Sequence, residues 1–157
     1  MKELVLTQRI EAPIEVVWDA VTDHRGMVNW SPLKKVVLER QGEPAPNGLG
    51  AVRRMIGVGP SIVEEVTEWE PPHRYVYLLR KGAPIRNHRG DIQLRTDGAY
   101  TQLQWTIRFA PTIPGTGWLI VALLRKVIGG TMLSQLKTLL EGTHPTKQPR
   151  SPETPTT

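Results

Sequence analysis

From residue 36 to residue 109 the chain repeats one pattern, a short β-like segment followed by a turn signal. The segments are 36–39, 51–58, 62–69, 75–80, 89–95 and 103–109. Between them stand Asn47-Gly48, Gly57-Val58-Gly59-Pro60, Pro71-Pro72, Gly82-Ala83-Pro84 and Asp97-Gly98. Connections this short join antiparallel neighbours, because a parallel crossover needs about a dozen residues or more. A strand at 4–10 precedes the run. Ala12-Pro13 then opens a helix with Ile14, Val17, Trp18 and Val21 at i, i+3, i+4 and i+7. Pro13 suits the first helical turn and Glu15 its positive end. Gly26 ends that helix, and 27–30 makes one further short turn before Ser31-Pro32. A long helical stretch, about 116–141, closes the chain. One sheet and one long helix must cover each other's apolar faces. The expected class is α+β, a seven-stranded antiparallel sheet wrapped around a C-terminal helix.

The long helix reads in two halves. Met132, Leu133, Leu136, Leu139 and Leu140 fall on one face of the second half, with Ser134, Gln135, Lys137 and Thr138 elsewhere. The first half, 118–124, is apolar nearly all round and needs cover from sheet, loops, a ligand or a second subunit. Gly129-Gly130 lies between the halves at a cost of about 1 kcal/mol per glycine. The pair marks a kink, a close helix–sheet contact, or space left for something bound. Residues 143–157 hold five Thr and four Pro and no large apolar side chain, so a disordered tail is expected there and a folded domain over 1–142. The longest apolar run is far shorter than the roughly 18 residues of a membrane span, so no stable insertion is expected. Met1-Lys2-Glu3 leads straight into strand-like sequence without an apolar leader core, which points to a cytoplasmic protein.

The net charge of +5 is concentrated. Between Arg74 and Arg95 stand Arg74, Arg80, Lys81, Arg86, Arg89 and Arg95 against the single acid Asp91. Such a run is either a solvated hairpin or an attractor of an anionic ligand head. Nucleic acid is not the expected partner, because no recognition helix or aromatic RNA-binding strand accompanies the charge.

Ala12-Pro13-Ile14-Glu15-Val16-Val17-Trp18-Asp19-Ala20-Val21-Thr22-Asp23, followed by Trp30 and Pro32, resembles the opening of the START-like superfamily. That helix-grip group includes Bet v 1-like, polyketide cyclase/dehydrase-like and Hsp90-activator-like proteins. The stretch from Glu65 through Trp69-Glu70-Pro71-Pro72-His73-Arg74-Tyr75 is similar to its central strand–turn–strand. Leu136-Lys137-Thr138-Leu139-Leu140-Glu141 is similar to the end of its closing helix. The resemblance implies a sheet gripping the last helix over an apolar cavity, with a lipid, fatty acid or polyketide-like molecule as ligand. It also implies two alternatives, a cyclase/dehydrase and a protein-interaction module.

Strand parity gives the expected cavity residues. With the hairpin centred on Gly59, paired numbers sum to about 118, which sets Arg54 opposite Glu64, or Arg53 opposite Glu65 on the other face. The even face carries more β-branched aliphatics and is expected inward, although Trp69 points the other way. The candidate ligand-binding residues are then Trp30, Arg54, Ile56, Glu64, Val66, Tyr75, Tyr77, Leu79, Leu103, Trp105, Ile107, Phe109 and Trp118. Nucleophile-elbow, dinucleotide, P-loop and zincin motifs are absent. With no cysteine, and with His24, His73, His88 and His144 scattered, neither a metal nor a cofactor is expected, and the histidines read as surface residues. Arg89-Gly90-Asp91 reads as a coincidental match to an adhesion tripeptide. Catalytic residues are left unassigned. The expected partner is a hydrophobic small molecule, with an acidic head if the basic run steers it, bound by a monomer or homodimer.

Overall fold

The computed structural model describes residues 1–143; apart from Thr143, the expected tail at 143–157 lies outside the described residues. Strand β1 (Lys2–Ile10) leads into helix α1 (Ile14–Thr22) and a short 3-10 helix (Arg25–Asn29). Six strands follow: β2 (Lys35–Arg40), β3 (Val52–Ile56), β4 (Ile62–Glu70), β5 (Arg74–Lys81), β6 (Ile85–Asp97) and β7 (Tyr100–Pro111). The chain then runs without a break through α2 (Gly117–Leu124), a π-helical segment (Arg125–Met132) and α3 (Leu133–Thr143). The sheet order is β1-β7-β6-β5-β4-β3-β2, and every neighbouring pair is antiparallel. The antiparallel order is the one expected from the turn spacing, and the whole is the helix-grip architecture that the resemblance implies.

Alternation on β1, β6 and β7 puts Leu4, Leu6, Ile10, Ile92, Leu94, Leu103, Trp105, Ile107 and Phe109 on the covered face. Helix α3 closes that face with Leu133, Leu136 and Leu140. Helix α1 contributes Val17, Trp18 and Val21, and the Trp18 ring meets Trp69 and Tyr75 edge-on at centroid distances of 5.0 and 6.1 Å.

Two local irregularities decide which residues face inward. Across the β3–β4 hairpin the pairs are Arg53 with Glu64 and Arg54 with Val63, so paired numbers sum to 117 rather than 118. A slip of one residue exchanges the faces of β3 relative to β4. Arg53 therefore points inward, and the expectation for Arg54 and Ile56 is corrected. On β4 the register shifts between Val66 and Glu68, which leaves Thr67 as an extra residue. The bulge reverses the alternation, so even-numbered Val66 and odd-numbered Trp69 both pack on the core.

The glycine pair of the long helix lies within the π-helical segment. A Cβ on Gly129 would stand 3.1 Å from Leu6 Cδ2. Close helix–sheet approach thus accounts for Gly129, whereas Gly130 has open space around it.

Candidate functional site

Between the covered face of the sheet and the π-helical part of the long helix lies a cavity of about 380 Å³. Its exposed lining residues, Pro32, Pro84 and Leu123, mark the mouth. Arg53, Glu64, Tyr77 and Trp105 are buried and form the inner end. The walls between are apolar: Met55, Ile62, Leu79 and Ile107 from the sheet, and Ile120, Leu124, Val127 and Ile128 from the helix.

Opposed positions on β3 and β4 bring Arg53 and Glu64 together. Arg53 is 1% exposed, a position a cation occupies only with partners. Its Nε and Nη2 donate to Glu64 Oε2 at 3.0 and 2.6 Å, and Nη1 donates to His24 Nδ1 at 2.9 Å. The guanidinium also lies over the Tyr77 ring, 4.8 Å from its centroid. Burial opposes the charge, but Glu64 together with Tyr75 and Tyr77 outweighs it, and the Arg53 pKa is raised. With Nδ1 accepting from Arg53, the His24 proton sits on Nε2 and is given to the Asn47 carbonyl at 2.9 Å. Burial first, then the Arg53 charge, holds the His24 pKa down to about 3. A neutral His24 thus ties the β2–β3 loop to the inner end of the cavity.

Two further polar groups face the space. Trp105 Nε1 donates to the Tyr77 hydroxyl at 2.8 Å, leaving that hydroxyl's own proton available as a donor. Burial, followed by the Glu64 charge, pushes the Tyr77 pKa well up, so the phenol stays protonated. His88 Nδ1 accepts the Leu79 amide at 3.0 Å, which places the His88 proton on Nε2. Burial lowers the His88 pKa. The Tyr77 ring rests on Gly90, its cross-strand partner, where an added Cβ would meet Tyr77 Cζ at 2.1 Å. Only glycine fits beneath the ring.

The structure gathers Glu64, Tyr77, Leu79, Trp105 and Ile107 of the expected residues around the cavity. Trp30, Val66, Tyr75, Leu103 and Phe109 belong to the core behind it. Trp30 packs edge-on against Trp105, and the Tyr75 hydroxyl donates to the Val21 carbonyl at 3.0 Å. Arg54 and Ile56 lie on the opposite face, where Arg54 donates to Glu39 and Ser61. Trp118 projects outward from α2 instead of into the cavity. Sequence reasoning held Arg53 only as the alternative to Arg54 and missed His24, His88 and Gly90. His24 and His88 are not surface residues, because the Arg53 network and the β5 backbone draw their rings inward. Arg89-Gly90-Asp91 is a structural sequence: Arg89 pairs with Glu68, Gly90 seats Tyr77 and Asp91 pairs with Arg74.

Half of the basic run is neutralised across the outer face of the sheet, while Lys81, Arg86 and Arg95 form no ion pair among the described residues. Arg74 reaches Asp91 at 2.8 Å, Glu68 at 3.0 Å and Glu70 at 3.5 Å. Arg80 holds Glu65 at 2.8 Å, and Arg89 holds Glu68 at 3.0 Å.

A family model described as polyketide cyclase / dehydrase and lipid transport matches residues 1–141. The chain belongs to this family. Among solved structures, a START superfamily protein from Mycobacterium smegmatis aligns with 90% of this chain and 99% of its own, at TM-score 0.77 and 14% identity. A protein from Thermobifida fusca aligns over 90% and 95%, at TM-score 0.71 and 26% identity. Ara h 8.0201 aligns over 90% and 98%, at TM-score 0.70 and 10% identity. No curated protein matches by sequence. The fold is the one seen in the START superfamily protein and in Ara h 8.0201.

Proposed function

We propose that this family member binds and carries an apolar small molecule that bears a neutral, hydrogen-bonding polar group. The observation that carries this reading is an apolar cavity whose inner end is a self-neutralised Arg53–Glu64 pair beside two donors. The volume, about 380 Å³, falls within the roughly 300–1,000 Å³ of small-molecule sites. Glu64 and His24 take up three of the N–H donors of Arg53, and Glu64 Oε1 accepts none of them. A bound hydroxyl would donate to that oxygen and accept from Tyr77 or His88. A carboxylate head would instead meet the Glu64 charge at close range. The polar pair therefore favours an alcohol or ketone over the acidic head suggested by the basic run: Arg74, Arg80 and Arg89 are engaged on the outer face, and no member of the run lines the cavity.

Native mass spectrometry of the protein as purified tests the reading. A retained neutral lipid or polyketide-like mass supports it, and an apoprotein that stays empty after exposure to such molecules opposes it. A second reading, cyclisation of a polyketide-like chain, draws on the family description and on Glu64, Tyr77 and His88 sharing the cavity. Glu64 would then act as base toward a carbonyl held by Tyr77. Its pairing to Arg53 leaves neither group free for that task, which favours the carrier.

A further inference from the structure

The end of the molecule that holds the cavity mouth is built from three turns and α2. A Cβ on Gly82 would lie 2.1 Å from the Ser61 carbonyl oxygen, so the β3–β4 and β5–β6 turns abut. The Thr112 amide donates to the Pro84 carbonyl at 2.9 Å, which joins the β7–α2 turn to them. Of nine exposed large hydrophobic residues among those described, five occupy this one end: Val58, Ile113, Trp118, Leu119 and Leu123. Trp118 is 68% exposed and Val58 96%. On α2 the apolar face turned outward, Trp118, Leu119, Ala122 and Leu123, runs directly into Arg125 and Lys126. The helix Gly117–Gly142 is long and apolar enough to cross a bilayer by length and composition alone, yet only 22% of its most apolar window is buried.

The charge of this end has one sign. Residues 55–63, 81–90 and 109–126 contain no Asp or Glu, but they contain Lys81, Arg86, Arg89, Arg125 and Lys126. Arg89 reaches Glu68, whereas Lys81, Arg86, Arg125 and Lys126 form no ion pair among the described residues. A second copy docked face to face would bring these cations against their own counterparts, with no acid between them. An anionic bilayer surface satisfies both features at once, taking the exposed side chains into its interface and the cations against its headgroups.

We propose that the protein docks on anionic lipid surfaces through the outward face of α2 and the adjoining turns, with the cavity mouth turned toward the bilayer. Docking rests on the surface alone and does not require the cavity to be filled. A docked protein would exchange an apolar ligand with the lipid phase without passing it through water.

The test is co-sedimentation of the full chain with phosphatidylcholine vesicles, with and without phosphatidylglycerol as about a third of the lipid. The account predicts binding to the anionic vesicles that weakens as salt rises, with a blue shift of Trp118 emission. Each surface cation contributes about a five-fold change in partition, so Arg125→Glu with Lys126→Glu should reduce binding by about thirty-fold or more. Trp118→Ser with Leu119→Ser should reduce it at least ten-fold on the same vesicles. Those four side chains do not line the cavity, so all variants should keep any solution affinity for a small ligand. Loss of vesicle binding with ligand binding intact therefore concerns docking alone, and the converse concerns the carrier reading alone. No sedimentation with anionic vesicles at low salt overturns the proposal. Equal binding by wild type and both double variants also overturns it, as does a micromolar dimer that Trp118→Ser dissolves.

Discussion

Acid should unfold this protein through His24, and the size of the effect follows from its surroundings. The folded chain keeps the ring neutral, between the Arg53 guanidinium and the Asn47 carbonyl, with a pKa held to about 3 against an ordinary 6.5. Below pH 6.5 the unfolded chain gains a proton that the folded chain refuses until about pH 3. Stability from this group is therefore complete above 6.5 and is lost as pH falls toward 3. The slope across that window is about 1.4 kcal/mol per pH unit. Moving from pH 7 to pH 5 then costs roughly 2 kcal/mol, a sizeable share of the about 5–15 kcal/mol that holds a domain together. Urea unfolding followed by tryptophan emission, at intervals from pH 7.5 to 4.5, measures this directly. His24→Gln should be less stable at pH 7 but flatter, its ΔG falling about 1.4 kcal/mol less per unit below pH 6. His88 titrates in both proteins and cancels in the comparison. Parallel ΔG–pH lines for wild type and His24→Gln would refute the argument.

Glu64→Gln leaves the Arg53 charge buried without its counter-ion and should cost about 3–5 kcal/mol in urea unfolding. A loss under 1 kcal/mol would mean that the pair is not desolvated. In the molecules that remain folded, ligand preference should move toward carboxylates, as read by competition between an acid and its alcohol. Gly90→Ala should drive the Tyr77 ring from its seat, lower stability by about 1–3 kcal/mol, and weaken the Trp105 response to ligand. An unchanged midpoint and an unchanged response would show that the ring has room to spare.

The sheet and its order were legible because turn chemistry and alternation are local signals. Five of the seven strands, β3 to β7, begin or end at the Gly, Pro, Asn or Asp punctuation visible in the sequence. The contents of the cavity were half legible. β7 alternates without interruption where Trp105 and Ile107 stand, and Tyr77 and Leu79 keep the two-residue spacing on β5, so parity placed them correctly. Arg54 was chosen over Arg53 because a one-residue difference in hairpin register leaves the composition of either face plausible, and only the pairing of Arg53 with Glu64 resolves it. Trp69 conflicted with Val66 because no local signal marks Thr67 as the bulge. His24 lies 29 residues from Arg53, and nothing in its neighbours announces that contact. The apolar character of 118–124 was plain from the sequence, but not that Trp118 would face outward.

The central claim is a cavity that selects an apolar molecule with a neutral polar end. A matched pair decides it: dodecanol and dodecanoate titrated at pH 8 against tryptophan emission, with Trp105→Phe as the control for signal from the cavity wall. The account predicts saturable binding of both the alcohol and the acid, the alcohol at least ten-fold tighter, and a signal reduced in Trp105→Phe. Dodecanoate binding as tightly as the alcohol, or neither giving saturable binding, would contradict it.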